Sequence, residues 1–260
     1  MKKNVLQIRS HFTDNGPGSQ SLTISNLLRE RGYNVVFCSA GGDMDEKIKN
    51  QSFNHLKSNS LMRLKRNPIN ILKSIFFIKN VLKDHNIDIV HSHNAAVTFQ
   101  VYFASLFINK KITLTRSVRG LEMRKFYQWR NLIYKFYPAK LFAVCEFTKQ
   151  WLINLGCSSE NIFVTFNGVD LKRFNVKEVS CDNLRKKLNI SKDDIVLGHV
   201  GNMSGWKGQD ILIKSFKNLS EKYSNLKLIF IGKGPHLEFC KKLAKDLNCD
   251  KNIFFMGLQF

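Results

Sequence analysis

Two consecutive strand–glycine–helix units in the last third of the chain constrain its fold more than any other feature. In IVLGHVGNMSGWKGQDILIKSF (195–216) an apolar run, Ile195 to Val200, reads as a buried strand and stops at Gly201. Gly208 then opens an amphipathic pattern, with Ile211, Leu212, Ile213 and Phe216 at helical spacing. LKLIFIGKGPHLEFCKKLAKDL (226–247) repeats the layout: strand Leu226–Ile231, turn Gly232-Lys233-Gly234-Pro235, helix. Two such units in a row predict a doubly wound parallel sheet with a ligand crevice at the C-terminal ends of its strands.

A glycine-bounded turn running into a helix aims backbone N–H groups, and the positive end of the helix dipole, at an anion. Lys207 adds a full charge at that end, so a phosphate or diphosphate is the natural guest. The same turn is also what any parallel α/β domain needs after a strand. On spacing alone both readings stand, because neither loop matches a Walker or a dinucleotide fingerprint.

The first half of the chain has the same grammar. VLQI (5–8) is a short strand, followed by a loop, HFTDNGPGSQ (11–20), that carries Gly16, Pro17 and Gly18. A helix follows and ends at Gly32, and YNVVFCSA (33–40) is the second strand. IDIV (87–90) reads as the third strand, with HSHN (91–94) at its C-terminal end. Histidines at i, i+2 on a strand share a face, so His91 and His93 read as one structural and one cleft residue. A zinc site would need a third ligand, and none lies nearby in sequence. KITLTRSVRG (111–120) is a fourth strand leading to Arg116 and Arg119. LFAVCEFTKQWLINLG (141–156) is a strand then a helix, and NIFVTFNGVD (161–170) closes the first domain. The domains are placed at 1–175 and 193–260, with a polar linker at 176–192.

Charge is the loudest compositional feature: 41 Lys+Arg against 20 Asp+Glu, a net +21 over 260 residues. Such a balance favours anionic partners. Residues 47–83 contain nine Lys/Arg and no acid. A helix beginning near Pro68 carries Ile71, Ile75, Ile78 and Leu82 as one stripe, with Lys73, Lys79 and Lys83 off it. The preceding SLMRLKRNP, with Arg63, Lys65 and Arg66, reads as an exposed basic loop. A basic amphipathic helix can lie on an anionic membrane, and it can equally be a core-packed helix with a solvated face. A second basic stretch, 109–141, sets nine Lys/Arg against Glu122. Its aromatics fall at helical spacing and read as packing, and no nucleic-acid motif appears, so nucleic acid is not expected as a partner. The six cysteines form no CxxC pair and no zinc spacing. They read as buried thiols of a reducing compartment, and no metal is expected. MKKNVLQIRS lacks the apolar core of a signal peptide. AAVTFQVYFASLFI (95–108) is too short to span a bilayer and reads as a buried helix.

Three segments, in order and spacing, resemble family 4 glycosyltransferases, retaining nucleotide-sugar transferases of the two-Rossmann GT-B fold. They are the glycine–loop–Lys207-Gly208–helix segment, ENIFVTFNGVDLKRF (160–174), and IDIVHSHN (87–94). The resemblance implies an α/β fold of two Rossmann-like doubly wound domains, the N-terminal one for the acceptor and the C-terminal one for the donor. It implies a donor diphosphate site at Gly201, Asn202, Lys207 and Gly208, with the Gly232–Gly234 turn. Gly16 and Gly18 would let backbone approach the donor. His93 would be the catalytic-site residue that bonds the donor sugar, and Arg116 would face the cleft. Arg63, Lys65, Arg66 and Lys73 would meet the acceptor or the membrane.

The implied reaction transfers a hexose from a UDP- or GDP-sugar to a glycolipid or polysaccharide hydroxyl, with retention and without metal or cofactor. The implied setting is the cytoplasmic face of a bacterial inner membrane, in cell-surface glycan synthesis. Departures are Asn202 where the family usually has arginine, Cys145 where it typically has serine, and Pro17 between the paired glycines. The family's two glutamates eight positions apart are absent, and only three strands are counted after residue 193. The chain is therefore expected to be a truncated product or a degenerate paralogue, with a second copy or a partner covering the open sheet edge. The alternative is a non-catalytic remnant or partner subunit that binds anionic surfaces.

Overall fold

A computed structural model describes residues 2–14, 16–62, 67–120, 132–169, 171, 174, 175, 177 and 182–259. The chain divides into two compact units, Met1–Val169 and Asp170–Phe260.

The first unit is a seven-stranded parallel sheet with helices on both faces. Its elements are β1 (Asn4–Ile8), α1 (Gly16–Glu30), β2 (Asn34–Ser39), α2 (Asp45–Asn50), β3 (Asn54–Lys57), α3 (Pro68–Asp84), β4 (Ile89–Ser92), α4 (Ala95–Ser105), β5 (Thr113–Val118), α5 (Ile133–Phe136), β6 (Lys140–Ala143), α6 (Glu146–Asn154) and β7 (Ile162–Val164). The strand order is β3-β2-β1-β4-β5-β6-β7. The chain therefore winds outward from β1 in one direction, returns, and winds outward through β4 in the other. The crevice of such a sheet opens between β1 and β4, at the strands' C-terminal ends.

Strand alternation builds two separate core layers. Leu6, Ile8, Val36, Cys38, Val90 and Leu114 pack against Ile75, Ile78 and Leu82 of α3 and Val97, Val101 and Ala104 of α4. On the opposite face Val5, Val35 and Phe37 pack with Phe12, Leu22, Met44, Ile48 and Phe53. At about 25 cal/mol per Å² of apolar area, these layers supply the main driving force. Asn67 caps α3 by accepting the Asn70 N–H at 2.7 Å, with Pro68 in the first turn.

Several sequence expectations are corrected here. The block after residue 47 contains a short edge strand, β3, so the strand bearing the histidines is the fourth and runs to Ser92. The glycine-rich loop ends at Gly16, where α1 begins. Both α3 and α4 are buried on one side only. Ile69, Leu72 and Phe76 of α3 are exposed, as is Phe99 of α4. No helix among the described residues is long and apolar enough to cross a membrane.

The second unit contains α7 (Asp182–Lys187), β8 (Ile195–Val200), α8 (Gln209–Ser220), β9 (Leu226–Ile231), α9 (Leu237–Asp246) and β10 (Ile253–Phe255). Its parallel sheet has the order β10-β9-β8, which repeats β3-β2-β1 of the first unit. Ile213 and Phe216 of α8, Cys240 and Ala244 of α9, and Leu228 and Phe230 of β9 form its core. The expectation that 195–200 is a buried strand is wrong. β8 lies at an edge, with no further strand beside it among the described residues, and Ile195 and Val200 are 52% and 79% exposed.

Candidate functional site

In the first unit the sheet register decides which side chains meet. Gln7 stands opposite His91 on β1 and β4, and His91 opposite Thr115 on β4 and β5. Odd-numbered residues at these three strand ends therefore share the α1 side of the sheet: Gln7 and Arg9, His91 and His93, Ser117 and Arg119. Toward the crevice the apolar layer gives way to this polar group.

His93 is fixed by two partners. Its Nε2 lies 2.7 Å from Gln7 Oε1 and 3.4 Å from Ser21 Oγ. Ser21 donates its hydroxyl proton to Pro17 O at 2.8 Å, so its oxygen can only accept from the imidazole. The hydrogen-bond network thus assigns the proton of neutral His93 to Nε2. Nδ1 is left as a buried acceptor with no hydrogen-bond partner among the described residues. His91 bonds Ser117 Oγ at 2.9 Å, and its ring lies 4.3 Å from that of His93. Burial, and then the nearby Arg119, lower the His91 pKa to about 4. Burial also holds His93 well below its ordinary value, followed by His91, Arg119, Arg9 and Arg116. Both rings are neutral at physiological pH.

Arg116 stands apart from this group. It pairs in register with Ser92, on the other face of the sheet, and is 3% exposed. Its Nη2 donates to Tyr134 Oη at 2.8 Å, and its guanidinium stacks 4.1 Å from that ring's centroid. Arg119, two strand positions from Ser117, is the arginine on the His93 side. Gln7, Arg9, Ser21 and Arg119 were not among the sequence candidates. Counting residues by parity from His93, across strands of matched length, is the signal that would have found the strand residues.

Gly16 and Gly18 both lie in the first turn of α1. A methyl on Gly18 would sit 2.1 Å from Thr13 O and 2.5 Å from Met44 Sδ, so tight packing of loop on helix accounts for that glycine. Nothing stands within 4 Å of a methyl on Gly16. Elsewhere, Ser39, His55 and Asp45 mimic a hydrolytic triad: Ser39 Oγ lies 2.8 Å from His55 Nε2, and His55 Nδ1 3.5 Å from Asp45. Ser39 is fully buried and already accepts the Gly41 N–H, so the group ties β3 to β2 and presents no nucleophile.

In the second unit Gly208 is the N-cap of α8, at φ 72°, and no side chain caps the helix. The first N–H groups of α8 are thus left to solvent or a ligand. Gln209, at the first helical position, is fully buried and donates Nε2 to Asn202 O at 2.9 Å, which shapes the loop. Lys207 is exposed and places Nζ 4.2 Å from the Trp206 ring centroid. Asp210, in the first turn, partly offsets the dipole. The two glycine loops interlock. Gly201 N–H donates to Ile231 O, Met203 N–H to Lys233 O and His236 N–H to Met203 O. Methyls on Gly232 and Gly234 would lie 2.0 Å from Gly201 O and 2.2 Å from Met203 O. Those glycines are required by loop-on-loop packing, whatever else they bind.

Of the basic candidates, Lys73 is exposed on α3 beside Ile69, Leu72 and Phe76. Arg63, Lys65 and Arg66 lie outside the described residues. Among the described residues no group of three His, Cys, Asp or Glu is placed to hold a metal ion.

Known proteins are similar to this chain in sequence or in fold. The N-acetyl-alpha-D-glucosaminyl L-malate synthase of Bacillus anthracis is 23% identical over 94% of this chain and 65% of its own length. The lipopolysaccharide 1,2-N-acetylglucosaminetransferase of Salmonella typhimurium is 40% identical over a shorter stretch, 26% of this chain and 20% of that protein. The crystal structure of Anabaena HepE in complex with UDP-glucose superposes with a TM-score of 0.79 at 15% identity, covering 99% of this chain and 69% of that one. The chain thus spans about two thirds of the length of the proteins that it matches throughout. The family model described as Glycosyl transferases group 1 matches residues 180–259. The model described as Glycosyltransferase Family 4 matches residues 15–173, well over half of the sequence, and on that match the chain belongs to Glycosyltransferase Family 4.

Proposed function

We propose that this protein acts in transfer of a hexose from a nucleoside diphosphate sugar to a hydroxyl of a glycolipid or polysaccharide, in bacterial surface-glycan synthesis. In this reading residues 1–175 are the acceptor domain, 176–192 a linker and 193–260 the donor-binding region. The observation that carries it is the uncapped start of α8 behind Lys207, in a chain of this family. During transfer the acceptor oxygen bonds to the anomeric carbon, the bond from that carbon to the diphosphate oxygen breaks, and negative charge grows on the leaving nucleoside diphosphate. In this reading Lys207 and the α8 amides would neutralise it, a type of stabilisation worth several kcal/mol in enzymes. Gly201, Asn202 and the Gly232–Gly234 loop shape that end of the sheet. His93 Nδ1, an acceptor without a hydrogen-bond partner among the described residues, would take a hydrogen bond from a sugar hydroxyl. Retention of configuration and independence of metal complete the reading.

HepE binds UDP-glucose, and the Salmonella protein is named for lipopolysaccharide. Both support a nucleotide-sugar donor and a surface-glycan acceptor here. The net charge of +21 supports an anionic membrane surface as the place of work, at the cytoplasmic face. Calorimetry of the chain with UDP, GDP and their hexose conjugates tests the donor assignment. One nucleotide should bind, and Lys207→Ala should weaken it about tenfold, the loss of one charge-assisted contact. Equal binding by wild type and variant would reject the assignment.

A further inference from the structure

We propose that the crevice edge formed by β1, β4 and β5 is a binding site for a phosphate or carboxylate group, with Arg9 and Arg119 as its anchors. Resting on the transferase reading above, we assign that anion to the acceptor.

Several hydrogen-bond donors at this edge are unfilled. Nη1 of Arg9, Nη1 and Nη2 of Arg119 and Nε2 of Gln7 are all buried, and none has a hydrogen-bond partner among the described residues. Gln7 itself is fully buried. By strand parity these donors share one face and one end of the sheet. Among the described residues, the charged and titratable groups acting on His93 are His91, Arg119, Arg9 and Arg116, and every one is basic. Arg119 in turn feels Arg9, which with burial lowers it to about 10. Two guanidinium groups thus lie close together, half-buried, with no carboxylate paired to them among the described residues. A buried cation without a counter-charge is costly, and proteins seldom keep one without a reason.

An anion supplies what is missing. The guanidinium fork matches the spacing of phosphate and carboxylate oxygens, and bidentate contacts of this type are the strong ones. The adjoining Nδ1 of His93 is an acceptor and would repel an anion, yet it would receive a hydroxyl. The edge therefore asks for an anionic group with a hydroxyl close to it, the chemistry of a phosphate- or carboxylate-bearing alcohol. The other source of such an anion is the donor diphosphate, for which Lys207 and α8 are already assigned.

Thermal melting of the full chain in sodium phosphate or malonate, against chloride at equal ionic strength, tests the site. One of the two should raise the melting temperature of wild type and of Lys207→Ala alike. Arg9→Gln and Arg119→Gln should bind that anion at least tenfold more weakly. Arg119→Lys keeps the charge without the fork and serves where a neutral variant unfolds; it should bind at least threefold more weakly. Stabilisation no greater than in chloride would overturn the proposal, as would equal stabilisation in the arginine variants. Loss in Lys207→Ala alone would also overturn it, by moving the anion to the donor loop. Calorimetry with UDP-glucose and GDP-mannose separates the two readings. Anion binding through Arg9 and Arg119 with no nucleotide-sugar binding would leave the site standing and defeat its assignment to an acceptor. The converse would defeat the site alone.

Discussion

Gln7 Oε1 receives the Nε2–H of His93 at 2.7 Å, from a side chain wholly buried in the sheet beneath it. The two residues are separated by 86 positions in sequence and joined by parallel pairing of β1 with β4. This bond sets which nitrogen of His93 is offered to a ligand, and it can be tested directly. Gln7→Leu keeps the volume and removes the acceptor. Nitrogen-detected spectra of the imidazole should change from a single Nε2–H tautomer to a mixture. Leaving the buried Nε2–H with a weaker acceptor should cost about 1–3 kcal/mol of stability. An unchanged tautomer in the variant would show that Ser21 alone directs the ring.

The buried histidines make stability depend on pH. The unfolded chain binds a proton on His91 near pH 6.5, whereas the folded ring binds it at about 4. A group with a lowered folded pKa favours the native state above the unfolded pKa and opposes it as pH falls through that window. Between those two values the fold should lose about 1.4 kcal/mol per pH unit for this group, roughly 3 kcal/mol in all. Urea unfolding of the first unit at pH 7, 5.5 and 4.5 should show that slope. His91→Asn should make it shallower by that amount and leave the share of His93, and an identical slope in the variant would place the acid sensitivity elsewhere.

Much of this was legible in the chain. The apolar run Leu226–Ile231, closed by Gly232, marked β9, the middle strand of the second sheet, because a parallel strand covered on both faces is largely apolar. Lys207-Gly208 marked the start of α8, because the amphipathic pattern begins there. The misses have physical causes. β3 is an edge strand, NHLK, half-exposed and polar, so no apolar run announces it. Gly16-Pro17-Gly18 looks like a loop, yet all three residues lie in the first turn of α1, where Gly18, not Gly16, serves close packing. Arg116 and Arg119 look equivalent in sequence; alternation along the strand puts them on opposite faces, and the register of β5 against β4 decides which of them shares the face of His93. Hydrophobic patterning cannot supply that register when the strand end is polar.

Gly232 and Gly198 should respond in opposite ways to alanine. At Gly232, φ is +143° and the added methyl would lie 2.0 Å from Gly201 O, a backbone atom that cannot turn aside. Gly232→Ala should destabilise the second unit by more than about 2 kcal/mol, the scale of a strained backbone plus a clash. Gly198 lies within β8, and nothing stands within 4 Å of its new methyl. There alanine should be neutral or stabilising by about 0.5 kcal/mol. Chemical denaturation of both variants decides the matter; equal stability would mean that the loops can part freely.

The exposed face of α3 presents Ile69, Leu72 and Phe76 at 64%, 57% and 59% exposure, beside Lys73. If the membrane is this protein's working surface, binding should need both chemistries. Lys73→Glu, and reversal of Lys65 and Arg66, should weaken flotation with anionic vesicles, each basic residue contributing about 1 kcal/mol. Leu72→Ser with Phe76→Ser should weaken it further at high salt, where charge is screened. Equal flotation with neutral and anionic vesicles would reject the assignment.

Lys207 and Trp206 provide a reporter for the donor site. Lys207 Nζ rests 4.2 Å from the indole centroid, and Trp206 is 74% exposed. A cation over an exposed indole is held by about 0.5–1 kcal/mol. A charge-assisted contact with a diphosphate oxygen is worth about 1.5–3 kcal/mol. The diphosphate should therefore win, and binding should lift the ammonium from the ring. In a chain with Trp129 and Trp151 replaced by phenylalanine, UDP or GDP should shift the Trp206 emission in a saturable way. Lys207→Ala should show the shifted emission from the outset and respond little to nucleotide. Lys207→Arg can stack and bind diphosphate as well, so it should retain the titration. A full response in Lys207→Ala would mean that nucleotide reaches Trp206 by another route and that Lys207 does not hold the diphosphate.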